Sequence, residues 1–390
     1  MVLKPSYRGF SPIEIPVEIN VSKVDLKEIK LDSFHYNWIN QRAPFDSFMR
    51  FLAERETNVI YSGGVFGQRS MNVYPVTDKE GNVLSYGSYA QVERLIDAKI
   101  KFGIPKERIK LICVLELHSY GMLVPGKKRI LRYGTPAWKK GFKSFLHHFT
   151  TAMEKKYGIT RDRIFFYTTD EPNGNINDPS STMYKAYLSG KYIKEAGKDF
   201  KTMVNPHPHV LQRNDLKTLQ KLSEVYDVFE FYRPGLGPKQ LKSFKTLKQE
   251  IWTYGIYQKT TPPATYRREY WQSFRDGFTS MISYWHLDSH AGRDGFNSED
   301  GETGTTDYGT IFADLDMGTL LSSRREEAHI LGLEDYKLAR FCRNMLRKNP
   351  DSSLQKKFDA IIKEGARSDM EGMEKCRREL LELAEKLMTK

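Results

Sequence analysis

The chain has 390 residues, 39% of them hydrophobic, which suffices for one domain of about 250 residues with an appendage. No apolar run approaches the roughly 20 residues that a membrane helix needs. Met1 to Phe10 carry charge but no apolar stretch, so no signal peptide is visible and a complete chain is expected to be cytoplasmic. The net charge of +12 comes from short, scattered clusters such as Lys127-Lys128-Arg129 and Arg324-Arg325. Without a basic stripe interleaved with stacking aromatics, these argue against a nucleic-acid partner. Cys113, Cys342 and Cys376 offer neither a disulfide framework nor metal-ligand spacing.

Pro12 to Val21 alternates apolar and polar residues and reads as an edge strand. Ile29 to Trp38 is the first strand of the main body and ends in His35, Tyr36, Asn37 and Trp38. A helix over Phe45–Arg55 follows, then a second strand over Asn58–Phe66, where Gly63-Gly64 permits a tight turn. A helix from Tyr89 to Phe102 leads to the third strand, Ile109 to Leu117, which ends at His118. Pro136 suits the first turn of a helix running to Tyr157. The fourth strand, Ile164 onward, runs into Asp170-Glu171-Pro172, and Pro172 is expected to hold Glu171 extended at its lip.

A helix over Ser181–Ala196 precedes the fifth strand, Phe200 to Asn205. Further helices begin near Asn214, Pro238 and Thr265. They separate the sixth strand (Val225–Glu230), the seventh (Glu250–Tyr257) and the eighth (Thr279–Trp285). The polar segment Leu287 to Asp307 is expected to cover the strand ends as a loop. Its Asp294–Glu302 run is not a calcium loop, because Phe296 occupies a ligand position. Ser322 or Ser323 can cap a helix to Lys348, with Glu326 three residues after Ser323, and Gly332 is expected to interrupt it. Beyond Pro350 and Asp351 an amphipathic stretch to Lys390 is expected to pack on the side of the body or to form a subunit contact.

Eight strands alternating with helices imply an α/β fold, a (β/α)8 TIM barrel with a C-terminal helical extension. The divisions are an N-terminal strand segment over residues 1–25, the barrel over 26–312 and the extension over 313–390. An open doubly wound sheet is the alternative, but no Gly-rich phosphate loop follows any strand.

In such a barrel the carboxyl ends of the strands make the site. They supply His118, the adjacent carboxylates Asp170 and Glu171, Asn205 with His207, Glu230 and Tyr232, Trp252 and Tyr254, then Tyr284 and Trp285. Trp252, Tyr254 and Trp285 read equally as barrel core, and Glu230 either faces inward or neutralises Arg233. Aromatic faces with carboxylates and amides suit a sugar. The Asn205–His209 run carries His207 and His209 between prolines but has no adjacent carboxylate, so no metal is expected, and no cofactor motif is present. Glycosidic cleavage normally uses two carboxylates on different strands. Here strand seven ends in Trp252, Thr253 and Tyr254, and its acid, Glu250, lies at the other end. A missing nucleophile is expected where a 2-acetamido group of the substrate supplies it.

The sequence then resembles a known family. Asp170-Glu171-Pro172, Ile251-Trp252-Thr253-Tyr254 and Ile282-Ser283-Tyr284-Trp285 occur in the order seen in family 123 glycoside hydrolases. Ser323-Arg324-Arg325-Glu326-Glu327 with Gly332-Leu333-Glu334-Asp335-Tyr336 is similar to that family's hallmark helix. The resemblance implies a barrel with exo-β-N-acetylgalactosaminidase activity, retaining by substrate assistance. It assigns stabilisation of the oxazolinium to Asp170 and the acid/base role to Glu171. Two departures stand out. Family members carry a β-sandwich domain before the barrel where this sequence has residues 1–25, and a Gly-rich stretch ending in Tyr-Pro where it has Asp307-Tyr308-Gly309-Thr310-Ile311-Phe312.

The expectation is a glycosidase acting on a terminal β-linked 2-acetamido sugar of an oligosaccharide, glycolipid or glycoconjugate. The rivals are a two-carboxylate glycosidase using Glu171 and Glu230, and a non-catalytic glycan-binding barrel. The C-terminal helices offer a route to oligomers.

Overall fold

The computed structural model describes residues 2–3, 15–16, 22–26, 29, 31–33, 35–36, 45–61, 75–115, 122–123, 130–208, 210, 216–244, 246–255, 261–278, 282–285, 310–314 and 319–389. Eight parallel strands make the central sheet: β1 (His35–Tyr36), β2 (Val59–Tyr61), β3 (Lys110–Val114), β4 (Ile164–Tyr167), β5 (Lys201–Val204), β6 (Val228–Tyr232), β7 (Glu250–Gly255) and β8 (Ile282–Trp285). Each pairs with the next from β2 to β8, and β8 pairs with β1. Val59 N donates to Ser33 O at 3.2 Å and links β2 to the residues entering β1. The sheet thereby rolls into the (β/α)8 barrel that the strand count implies.

The helices alternate with the strands: α1 (Phe45–Glu54), α2 (Ala90–Lys101), α3 (Pro136–Tyr157), α4 (Thr182–Ala196), α5 (Leu216–Leu222), α6 (Pro238–Phe244), α7 (Pro263–Asp276) and α8 (Arg324–Lys348). Their ends follow local chemistry. Thr135 Oγ1 accepts from Trp138 N at 3.3 Å, Pro136 takes the first turn of α3, and Gly158 closes it in the left-handed conformation at φ 69°. Ser323 Oγ accepts from Glu326 N at 3.2 Å, so the expected cap of α8 is in place.

The strands sort their side chains by alternation. Ile164 and Phe166 of β4 face a layer holding Phe48, Leu95, Phe145 and Phe149 from α1, α2 and α3. Phe165 and Tyr167 face the barrel interior with Val59, Ile112, Met203, Val228, Trp252 and Tyr254. Full burial of each such side chain contributes roughly 1.5–3 kcal/mol, which fixes the register because a one-residue slip would exchange the two faces.

Two further helices, α9 (Ser352–Gly365) and α10 (Met370–Met388), pack outside α7 and α8. Asp335 of α8 is 1% exposed and accepts from Arg267 Nε at 2.6 Å, Trp271 Nε1 at 2.8 Å and Arg377 Nη1 at 2.7 Å. One buried carboxylate therefore ties α7, α8 and α10 together. Helix α8 runs through Gly332 without the expected interruption. The glycine serves close packing instead, since a Cβ there would lie 2.4 Å from Tyr270 Cδ2 and 3.1 Å from Arg267 Cα.

Short strands that carry no clear sequence period make a small sheet from the segments after β2 and β3. It pairs Val83–Ser85, Val76–Thr77, Met122–Leu123 and Ile130–Leu131 in that order. A hairpin of Ile311–Asp314 with Thr319–Ser322 precedes α8. No helix of the described residues is long and apolar enough to cross a membrane.

Candidate active site

Strand β4 delivers the paired carboxylates. Its four residues are buried, Thr168 and Thr169 after it are buried too, and Thr168 Oγ1 lies 2.8 Å from Tyr226 Oη. The chain then emerges at Asp170, which is exposed, and Glu171, which is part-buried. Glu171 is not extended as Pro172 led us to expect; its φ is +39°. Pro172 disfavours the right-handed helical region, and the chain takes the left-handed one because Glu171 N donates to Asn205 Oδ1 at 2.9 Å. Pro172 O in turn accepts from His207 N at 3.1 Å. Such a backbone costs a non-glycine residue roughly 1–3 kcal/mol and persists only where its surroundings hold it.

Asn205 follows β5 and is 2% exposed. Its Oδ1 also lies 2.7 Å from Tyr167 Oη, and its Nδ2 donates to Asp170 Oδ1 at 3.2 Å. Tyr167 Oη is 2.6 Å from Asp170 Oδ1 as well, so its one proton is shared between the two acceptors. Among the described residues no hydrogen bond reaches Asp170 Oδ2.

Tyr254 of β7 is 2% exposed and donates its phenol proton to Glu171 Oε1. Burial, followed by the charge of Glu171, pushes the phenol far above its usual range, with Glu230 and Asp170 adding to the effect. Tyr254 is thus a fixed donor. The other oxygen of Glu171, Oε2, lies 3.8 Å from His207 Nε2. Aromatic rings line this end of the barrel: Tyr61 and Tyr167 have centroids 6.2 Å apart, and Tyr232 and Tyr254 5.4 Å apart.

The structure therefore brings together Asp170, Glu171, Asn205, Tyr232 and Tyr254. Glu230 and Trp252 sit opposite each other in the ladder, two residues deeper on β6 and β7, and both are 0% exposed. Trp252 meets Phe165 edge-on at 4.9 Å and belongs to the barrel interior. Arg233 pairs with Asp276 at 2.6 Å. Tyr284 and Trp285 lie on β8, but their side chains are outside the described residues, as are His118, Asn37, Trp38 and the Leu287–Asp307 segment.

Sequence reasoning did not single out Tyr167, although alternation from Phe165 places it on the inward face. Nor did it foresee that His207 stands beside Glu171. Among the described residues no group of three or more His, Cys, Asp or Glu side chains is arranged to hold a metal ion. Glu250 opens β7 at the far end, where it lines a cavity of about 410 Å³ with Lys110, Lys201, Asp227 and Lys248.

No protein-family model matches the chain, and no curated protein matches its sequence. Among solved structures it is similar to a psychrophilic family 10 endo-β-1,4-xylanase (16% identity, TM-score 0.40, covering 67% of this chain and 88% of that one). It is also similar to a GH39 enzyme from Xanthomonas axonopodis pv. citri (11%, 0.48, covering 79% and 67%). A thermostable xylanase mutant from Cellvibrio japonicus gives 11%, 0.43, 79% and 100%. Likeness at this level carries no information on this chain's substrate or reaction.

Proposed function

We propose that the chain is a glycosidase removing a terminal β-linked 2-acetamido sugar, N-acetylgalactosamine, from an oligosaccharide or glycoconjugate. The observation that carries this reading is the adjacent pair Asp170 and Glu171 at the open end of β4, with a phenol rather than a carboxylate, Tyr254, brought to it by β7. Among the described residues that arrangement provides an acid and an orienting carboxylate but no separate nucleophile beside them, which suits substrate assistance.

In this reading the acetamido carbonyl oxygen attacks the anomeric carbon while Glu171 gives a proton to the departing glycosidic oxygen. Asp170 accepts the acetamido N–H and stabilises the positive charge of the resulting oxazolinium ion. Glu171 then takes a proton from the water that opens the ring, so configuration is retained. Tyr232 and Tyr254 supply the described part of the sugar platform, with Trp252 behind it in the barrel interior. The motifs around Asp170, Trp252, Tyr284 and Ser323 support membership of family 123. The two-carboxylate scheme is less well supported, because Glu230 is 0% exposed and lies below the Tyr232–Tyr254 layer.

The test is turnover of a chromogenic β-N-acetylgalactosaminide by Glu171→Gln and Asp170→Asn. General acid–base contributions predict losses of about 10²–10⁴-fold for the first. Progressive fluorination of the acetamido methyl is expected to slow the wild type. Normal activity in both variants, or equal turnover of a glycoside lacking the acetamido group, would sink the proposal.

A further inference from the structure

Asn205 follows a strand whose end faces the barrel mouth, so it invites assignment as a sugar contact. Its hydrogen bonds point elsewhere. The side chain is 2% exposed, its Oδ1 takes Glu171 N at 2.9 Å and lies 2.7 Å from Tyr167 Oη, and its Nδ2 reaches Asp170 Oδ1 at 3.2 Å. One amide thus touches both halves of the carboxylate pair. Through the first bond it holds the φ +39° backbone that aims Glu171. Through the second, together with Tyr167 at 2.6 Å, it occupies Oδ1 of Asp170 and leaves Oδ2 for a ligand.

We propose that Asn205 is a positioning residue that sets the directions of Asp170 and Glu171 together, with Tyr167 as its partner on Asp170. This rests on the glycosidase reading above. A carboxylate that orients an acetamido N–H works only if the oxygen facing the ligand is fixed, and here protein donors on the other oxygen fix it. Glu171 must meanwhile be turned toward the leaving oxygen, and its left-handed backbone is held by the same amide. The two demands on the pair are coupled through one side chain that touches no sugar.

The substitutions separate the two bonds. Asn205→Asp keeps an acceptor for Glu171 N but sets an oxygen against Asp170 Oδ1. Tyr167→Phe removes the second donor on Asp170 and leaves the backbone bond intact. Asn205→Ala removes all three of the amide's bonds, to Glu171 N, Tyr167 Oη and Asp170 Oδ1. With the acetamido glycoside, kcat/KM is expected to fall about 10- to 100-fold in Asn205→Asp and further in Asn205→Ala, with KM within about 3-fold of wild type. Affinity for a thiazoline mimic of the oxazolinium is expected to fall by the same factor as kcat/KM, while affinity for the free 2-acetamido sugar holds. Tyr167→Phe is expected to follow Asn205→Asp in direction.

If an active wild type is matched by both Asn205 variants, this inference is overturned and the functional reading stands. It is overturned equally if thiazoline and free-sugar affinities fall together along with the melting temperature, because that is a folding defect. A wild type that does not cleave the acetamido glycoside overturns the functional reading, and the positioning role with it.

Discussion

Lys99 lies on α2 inside the apolar layer between helices and barrel, and it is 1% exposed. Its Nζ donates to Thr57 O at 2.5 Å, and burial pushes its ammonium down to about 7 from 10.5. The penalty for keeping it charged follows from that difference: 3.5 pH units at about 1.36 kcal/mol each is about 5 kcal/mol. The sign is set by proton counting. Between about 7 and 10.5 the unfolded chain holds a proton at this site that the folded chain has released, so folding stability rises with pH across the window. Below it the full penalty applies, and above it none does.

Lys99→Met removes the penalty but also the donor to Thr57 O, a loss of about 1–3 kcal/mol. At about pH 6 the variant is therefore expected to be more stable by about 2–4 kcal/mol, and at about pH 10.5 less stable by about 1–3 kcal/mol. The two curves cross between about pH 8 and 10. Urea unfolding of both proteins at a series of pH values measures the difference directly. A difference that stays constant with pH would refute the reasoning, because no linkage at Lys99 would then exist.

The phenol of Tyr254 is expected to matter for turnover: Tyr254→Phe strips the donor from Glu171 Oε1. A hydrogen bond to a charged group contributes about 1.5–3 kcal/mol, so kcat/KM on the acetamido glycoside should drop about 10- to 100-fold; an unchanged value would remove Tyr254 from the site. Asp335→Asn leaves Arg267 and Arg377 facing a neutral amide and is expected to cost about 3–5 kcal/mol, read as a lowered urea midpoint. A loss of unfolding free energy smaller than about 1 kcal/mol would mean that Glu334 and Glu374 take over the pairing.

Much of this architecture could be read along the chain because the signals are local. Alternation and β-branched runs mark β3, β4, β6 and β7, and Pro136, Gly158 and Ser323 mark helix ends with the bonds they make or forgo. The acids at the end of β4 could be located for the same reason. Their shape could not. The left-handed turn at Glu171 depends on Asn205, which reaches it only because β5 lies beside β4, with Tyr167 opposite Met203. Depth was equally hidden: alternation puts Trp252 and Tyr254 on one face of β7 but does not say that the first is sealed inside and the second meets a carboxylate. The small sheet over Val76–Leu131 rests on strands of two or three residues, too short to show a period. Gly332 looked like a helix breaker because its neighbours, Tyr270 and Arg267, come from another helix.

The contact between Tyr254 and Glu171 joins these strands of reasoning. Strands β4 and β7 are three places apart in the sheet, and at about 4.8 Å per strand a flat sheet would separate them by about 14 Å. A phenol on one could not then serve a carboxylate on the other. Rolling the sheet turns that lateral distance into a span across the interior, and inward-facing Tyr254 bridges it to Glu171. Strand β5 contributes differently, from next door, by pinning the backbone through Asn205. The pair thus receives its direction from a neighbouring strand and its proton donor from across the barrel. The phenol's reach depends on the curvature that ends at the seam between β1 and β2, where Val59 N meets Ser33 O, whereas the Asn205 support needs only the pairing of β4 with β5. Weakening that seam should therefore loosen the phenol's contact with Glu171 before the bond that Asn205 makes to its backbone.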